Sequence, residues 1–328
     1  MEINKYFYKD VITNLTNYLN RKDLLNFLSC CKLLKTFDYL FFDNYEINFF
    51  QFTTHITKNI LYLLNSKNYN KIQIFLSKIK KIFNFNCSDD TYYTIEIFSS
   101  LTHLTFEDDF DQPVDNLPGS ITHLTFGRYF NQRVDNLPQS LTHLTFGSHF
   151  DQSVNNLPTS ITHLVFGYEF EQQVDNLPNS ITHLTFGSYF NQKLNNLPSS
   201  ITHLTFGHYF NQPVDNLPNS ITHLTFGSYF DQPVDNLPNS ITHLTFDDSD
   251  FNQPVDNLPN SITHLTFGYF NQPVNNLPSS ITHLTFGYNF NQPVDNLPNS
   301  ITHLFFDYNN FNQSLDNLPK SIIYINRR

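Results

Sequence analysis

Tryptophan and alanine are absent from the 328 residues, methionine occurs once and cysteine three times. Without alanine, the best helix former, any helix here must lean on packing rather than propensity. Cys30 and Cys31 are adjacent and cannot easily bridge each other, and Cys87 stands alone. All three read as reduced thiols of a cytosolic or nuclear protein. No apolar run reaches the roughly 18 residues of a membrane span. The opening MEINKYFYKD is charged and unlike a secretory signal. A Gly-rich phosphate loop, a Gly-x-Ser-x-Gly elbow and a Cys/His pair are also missing, so neither an enzyme nor a bound cofactor is expected.

What is present is unevenly spread. Phe, Tyr, Asn, Ile and Lys dominate, as an AT-rich coding genome would produce. Residues 1–100 hold 12 Lys+Arg against 9 Asp+Glu, whereas residues 101–328 hold 6 against 20. An acidic second part repels phosphate, which argues against nucleic acid and anionic membrane as partners.

From about residue 97 the chain copies itself. His103, His123, His143, His163, His183, His203, His223, His243, His264, His283 and His303 mark eleven units, 20 residues apart except for steps of 21 and 19 around His264. A fixed period of this length is the signature of a solenoid. Within a unit, Leu-Thr-His-Leu-Thr-Phe is β-branched, aromatic and alternating, and Gly follows it in most copies, which predicts a strand. In the second unit Leu124 and Phe126 share the inward face, and His123 and Thr125 point outward. The return arc is too short and too rich in proline for a helix, Pro118 having a counterpart in every copy. Phe130, Val134, Leu137 and Leu141 supply its inward side chains. Stacked units bury what one copy cannot. Eleven strands at about 4.8 Å spacing predict a curved slab roughly 50 Å long.

Phe110, Gln112, Asn116, Leu117, Pro118 and Ser120 have identical counterparts in all eleven units. The Asn column is expected to form an internal ladder that satisfies backbone groups at the bend. The varying positions follow the strand, at Arg128-Tyr129, Ser148-His149, Tyr168-Glu169 and His208-Tyr209. The length changes fall there too, which marks an exposed, tolerant loop row.

The spacing of Leu141, Leu144 and Phe146 looks like the leucine-rich-repeat core. The whole unit resembles the FNIP repeat, a leucine-rich-repeat relative; its signature segment reads Phe210-Asn211-Gln212-Pro213. The resemblance covers residues 97–325. It implies a social amoeba, or a giant virus that infects amoebae, as the source.

Upstream, Ile12, Leu15 and Leu19 share one helix face, and a second helix can begin near Asp23 with Leu24, Leu28 and Cys31. The stretch Tyr18 to Leu25, with Leu28 and Cys30-Cys31, resembles an F-box, although Phe7-Tyr8 replaces the usual Leu-Pro and Leu34 the usual Trp. The expected fold is therefore α+β: an F-box-like helical domain over 1–50, a helical linker and cap over 51–96, and a parallel β-solenoid over 97–325. Within the linker, 59–64 and 71–85 are read as helical. The resemblance implies that Phe7, Ile12, Leu15, Leu19, Leu24, Leu25 and Leu28 contact a Skp1-type adaptor of a cullin ubiquitin ligase.

The expected function is a non-enzymatic adaptor that recruits an unknown target protein in the cytoplasm, the host's if the source is viral. A purely structural scaffold is the alternative. Ice or mineral binding is disfavoured because His occupies one position of the Thr-x-Thr pair such a face needs. Candidate target-binding residues are Arg128, Tyr129, His149, Tyr168, Glu169 and His208 of the loop row, with His123, His143 and His163 of the strand face. Regular His can ligate zinc or copper. Neither Cys nor carboxylate flanks it on the strand, so a tolerated outward residue is the simpler reading. The column Asp115, Asp135, Asp175 offers one carboxylate per turn, which suits a solvated ridge better than calcium.

Overall fold

The computed structural model describes residues 100–327 apart from 247 and 308–310, together with the backbone of three short strands, Leu40–Phe41 (β1), Glu46–Asn48 (β2) and Lys81–Phe85 (β3). The F-box-like stretch 7–35, with all seven residues expected to contact a Skp1-type adaptor, lies outside the described residues, as does the helix expected over 59–64. Among the described residues there is no helix.

The chain divides into two compact units, Met1–Phe130 with Asn136–Leu141, and Asn131–Asp135 with Thr142–Arg328. In the first unit β1 pairs antiparallel with β2. Then β2, β3, β4 (His103–Phe106) and β5 (His123–Thr125) run parallel to their neighbours. One expectation is corrected here: β3 occupies the end of a stretch read as helix over 71–85. β1 and β2 lie near the end of the stretch 1–50 read as an F-box-like domain. The string Lys-Ile-Phe-Asn-Phe serves a strand period as well as a helical one. The edge of β4 decides between them, because its backbone groups need partners: Ile82 sits opposite Leu104 and Phe85 opposite Phe106, with a register shift between.

The second unit holds β6 (His143–Thr145), β7 (His163–Val165), β8 (His183–Thr185), β9 (His203–Thr205), β10 (His223–Phe226), β11 (His243–Phe246), β12 (His264–Thr266), β13 (His283–Phe286), β14 (His303–Phe306) and β15 (Tyr324–Arg327). All pair in parallel and in register, His opposite His, until Tyr324 takes that place opposite His303. The strands are only three or four residues long. From β6 to β14 half-buried and buried residues alternate as expected, with Leu and the strand's last Phe inward and His and Thr outward, Val165 and Phe305 taking the Thr place in β7 and β14.

Phe130, Val134, Leu137 and Leu141 are buried, as the sequence predicts. Two phenylalanines per turn stack face to face, Phe186 on Phe190 at 3.8 Å, and each also continues into the next turn, Phe186 to Phe206 at 5.6 Å and Phe190 to Phe210 at 6.2 Å. The outward His rings are closer together, His183 to His203 at 4.2 Å. Equivalent atoms of purely translated copies would keep one spacing throughout, so the widening from strand face to core is a rotation. Within the second unit the strand face is therefore the concave side.

Several invariant residues now have a cause. The Ser200 hydroxyl donates to the Ile181 carbonyl of the preceding turn at 2.6 Å, and its counterparts repeat the bond. Glycine after the strand is required by close approach: a Cβ on Gly187 would run into the carbonyl of Gly167. The Asn column corrects the expectation of an internal ladder, because it is exposed. Asn236 donates to the Asp215 carboxylate of the turn before at 2.9 Å. Where Asn replaces that Asp at 155 and 275 the bond is longer, Asn176 to Asn155 at 3.3 Å and Asn296 to Asn275 at 3.2 Å. The 21-residue unit absorbs its extra residue in the turn. Asp248 takes a left-handed conformation (φ 42°) and Ser249 is fully buried, donating to the Phe230 carbonyl and accepting from the Phe251 amide.

Candidate functional site

Two side-chain rows lie outside the core, and the repeat builds each from one position per turn. The first is the His column on the strand face. In the second unit nine imidazoles, from His143 to His303, stack at 4.2 to 4.3 Å with their planes near parallel. In the first unit His103 and His123 stack at 4.1 Å. The residue before each His holds its ring: the Thr182 hydroxyl lies 2.9 Å from His183 Nδ1 and 3.2 Å from the Thr162 carbonyl. A carbonyl only accepts, so the single hydroxyl proton goes there and His183 Nδ1–H donates to the hydroxyl oxygen. This is the assignment that makes both contacts hydrogen bonds, and it leaves Nε2 carrying the lone pair of the neutral ring. Burial, followed by the charges of neighbouring imidazoles, lowers the pKa of His183, His203, His223, His243, His264 and His283.

Such a column stores proton-sensitive repulsion, but as a ligand set it is poor. The stacked lone pairs are parallel, not convergent. Among the described residues no group of three or more His, Cys, Asp or Glu is placed to hold a metal ion. The Asp ridge is likewise engaged, since Asp115 accepts from Asn136 and Asp135 from Asn156.

The second row is the turn that follows the strand. Glu169, Tyr189, Tyr209, Tyr229 and Asp250 hold equivalent places, each donating its backbone N–H to a carbonyl of the turn before. Tyr168 reaches in from the neighbouring position. The rings form a ladder, Tyr168 to Tyr189 at 4.7 Å, Tyr189 to Tyr209 at 5.1 Å and Tyr209 to Tyr229 at 5.2 Å. His208 meets both Tyr209 and Tyr229 edge-on at 4.8 Å. A hydrogen bond with the Tyr168 side chain, then nearby charge including Glu169, raises the Tyr189 pKa. His149 Nδ1 donates to the Glu169 carboxylate at 2.7 Å. In the first unit the Arg128 guanidinium lies 5.3 Å from the centre of the Tyr129 ring.

The structure thus joins His149 with Glu169, Tyr168 with Tyr189, and His208 with the two tyrosines beside it. Sequence reasoning names Tyr168 and His208 but passes over Tyr189, Tyr209 and Tyr229 as site residues. Their recurrence at one place in the unit is the signal that could have found them. Tyr168, Tyr189, Tyr209 and Tyr229 are 47, 38, 38 and 48% exposed, large values for aromatic residues.

Among the described residues no helix is long and apolar enough to cross a membrane. No curated protein matches the chain. Among solved structures, CroV588, described as a novel circular LRR protein, is similar with a TM-score of 0.69 and 49% identity, over 76% of this chain and 40% of that one. YopM from Yersinia enterocolitica WA-314 is similar in fold, with a TM-score of 0.54 and 20% identity, over 76% of this chain and 54% of that one. The chain therefore spans about two fifths of the first and about half of the second. The FNIP Repeat model matches in overlapping windows from residues 96–129 to 290–326. A leucine-rich-repeat-like parallel solenoid that carries these matches through most of its length is a member of one family, and the chain belongs to the FNIP repeat proteins.

Proposed function

We propose that the chain is a non-enzymatic adaptor in which the turn row of the solenoid takes a target protein and the F-box-like stretch docks a Skp1-type adaptor. The target would thereby be presented to a cullin ubiquitin ligase in the cytoplasm. One observation carries the first half. Around each turn, almost every position is held by an identical neighbour above and below, whereas the turn row is exposed and differs from copy to copy. Only positions that differ distinguish one partner from another, and a solenoid offers them as one long surface. The His column lies on the concave strand side of the second unit, with His143 and His163 there and His123 in the first unit, and gives the same contact at every step. It suits a shared floor under the target, not its selection.

The second half rests on the F-box resemblance of residues 7–35. The test is capture of a purified Skp1 homologue by the full chain, beside a Leu19→Asp, Leu24→Asp double variant. Capture that the variant abolishes, with the solenoid's thermal melt unchanged, supports the ligase reading. Absence of capture at micromolar concentration leaves the solenoid as a protein-interaction scaffold with no ubiquitin link.

A further inference from the structure

The tyrosine ladder ends on a carboxylate at both sides. Glu169 precedes Tyr189, and Asp250 follows Tyr229, at the same place in their turns. Glu169 accepts from His149 through one carboxylate oxygen and keeps 40% of its side chain exposed, and Asp250 is exposed. From Glu169 to Asp250 is four turns, about 19 Å at the strand spacing of about 4.8 Å. An extended peptide covers that distance in about six residues at roughly 3.3 Å each. We propose that the row from Glu169 to Asp250 docks an extended basic segment, with one cationic side chain on Glu169, a second about six residues further on at Asp250, and apolar or aromatic side chains between them on Tyr189, Tyr209 and Tyr229. This rests on the reading of the turn row as the target-binding surface and names the chemistry of the target.

Charge complementarity favours this occupant. Residues 134–319 contain one Lys+Arg, Lys193, against 15 Asp+Glu. The field over the row therefore attracts cations and repels phosphate. That repulsion sets aside single-stranded nucleic acid, whose bases would otherwise suit a ring ladder. The molecule also contains a small-scale version of the contact, the Arg128 guanidinium on the Tyr129 ring. Tyr209 and Tyr229 stack at 5.2 Å with much of each phenol ring in solvent, so the middle of the segment meets an amphipathic rail. The cations go to the ends, where the acids are.

The test uses the full chain and fluorescent peptides followed by anisotropy. One peptide has two arginines separated by five leucine or glycine residues, a second has the same composition with the arginines adjacent, and a third carries glutamates for arginines. The spaced peptide binds, the adjacent one binds about fivefold more weakly because it reaches one carboxylate, and the acidic one does not bind. Glu169→Gln and Asp250→Asn each weaken the spaced peptide about fivefold. The exposed Asp215→Asn, off the row, leaves it unchanged. Raising the salt weakens binding in the wild type and flattens the difference between variants. Equal binding of the spaced and adjacent peptides overturns the proposal, as does indifference to the Glu169→Gln, Asp250→Asn double variant, or preference for an oligothymidine. A photo-crosslinker at position 209 separates this failure from that of the parent reading. Proteins captured there that lack paired basic residues overturn the basic segment and leave the row as a target surface. If nothing is captured at 209 from an amoebal lysate, both fall.

Discussion

His183 and Tyr189 belong to one turn, six residues apart, and they are constrained in different ways. His183 is stacked at 4.2 Å between His163 and His203, and a threonine hydroxyl holds its ring. Tyr189 leans at 55° on Tyr168, more than a third of its surface in solvent. A residue in a stacked column must match the one above and the one below, so the column stays uniform. A residue on the turn row is tied to its neighbours through backbone, Tyr189 N–H to the Tyr168 carbonyl, and its side chain is released from that match. Both surfaces come from one repeat, yet only the second is able to differ from copy to copy. Uniformity here marks structure, and variation marks the place for a partner.

The widest break in that comparison lies next to the row itself. Phe210 is fully buried, stacked on Phe206 at 3.8 Å and flanked by Phe190 and Phe230. Phe210→Ala is expected to cost about 3–5 kcal/mol, because a cavity opens in a column that cannot collapse without tilting its neighbours. Urea unfolding of the full chain measures it, and a loss below about 1 kcal/mol would mean that the aromatic columns are not the core. Next comes Gly187→Ala, whose new methyl meets the Gly167 carbonyl; overpacking of this kind costs about 1–3 kcal/mol. Glu107, Asp247 and Asp307 occupy the glycine place in the first, eighth and last units. The same substitution is therefore expected to matter most where, as at Gly187, both neighbouring turns also carry glycine.

Acid tests the His column as a whole. Six of its rings have lowered pKa values, first through burial and then through one another. A depressed folded pKa means that the fold favours neutral imidazole. That contribution is fully present above the unfolded value of about 6.5 and is lost as pH falls through it towards the lower folded values. The melting temperature should drop between about pH 7.5 and about pH 5.5, and His223→Asn should shrink the drop. An unchanged melt across that window would show that the stack tolerates charge. One turn's share of the same arrangement is tested by Thr182→Val, which keeps the shape and removes the hydroxyl between His183 and the Thr162 carbonyl. A cost of about 1 kcal/mol is expected, with Thr182→Ser near wild type, and equal behaviour of the two variants would contradict the hydrogen-bond assignment.

Much of this was legible in the sequence. The alternation of Leu124 and Phe126 with His123 and Thr125 needs only the period of a strand, and the burial of Phe130, Val134, Leu137 and Leu141 needs only that copies stack. Two features were not legible. Invariance of Asn116 and its counterparts says that each copy needs an amide there, but not whether the amide is inside. The answer depends on the Asp one turn earlier, and the bond is exposed. The residues Lys81–Phe85 fit either period, and the choice fell to pairing with β4, a contact about twenty residues away. The tyrosine ladder was hidden for a related reason. Comparing copies shows which positions vary, whereas the ladder depends on the direction each side chain takes across turns.

The smallest expected effect sharpens the comparison most. Tyr209 is adjacent to Phe210, yet its ring lies on the solvent side between Tyr189 and Tyr229. Tyr209→Ser removes three ring contacts, with Tyr189, His208 and Tyr229, but opens no cavity and leaves its backbone bond to Ser188 in place. Stability should change by no more than about 0.5 kcal/mol, as at surface positions without a special role, while neighbouring Phe210→Ala costs several times more. The two variants are compared by the same urea series, with unfolding slope as a check that the unfolded state is unaltered. A large loss for Tyr209→Ser would make the ladder a stabilising column like the imidazoles, and the row would no longer be a surface that the fold leaves open to change. A negligible loss leaves the tyrosines with no structural reason to line up along three successive turns, and recognition becomes the remaining account of them.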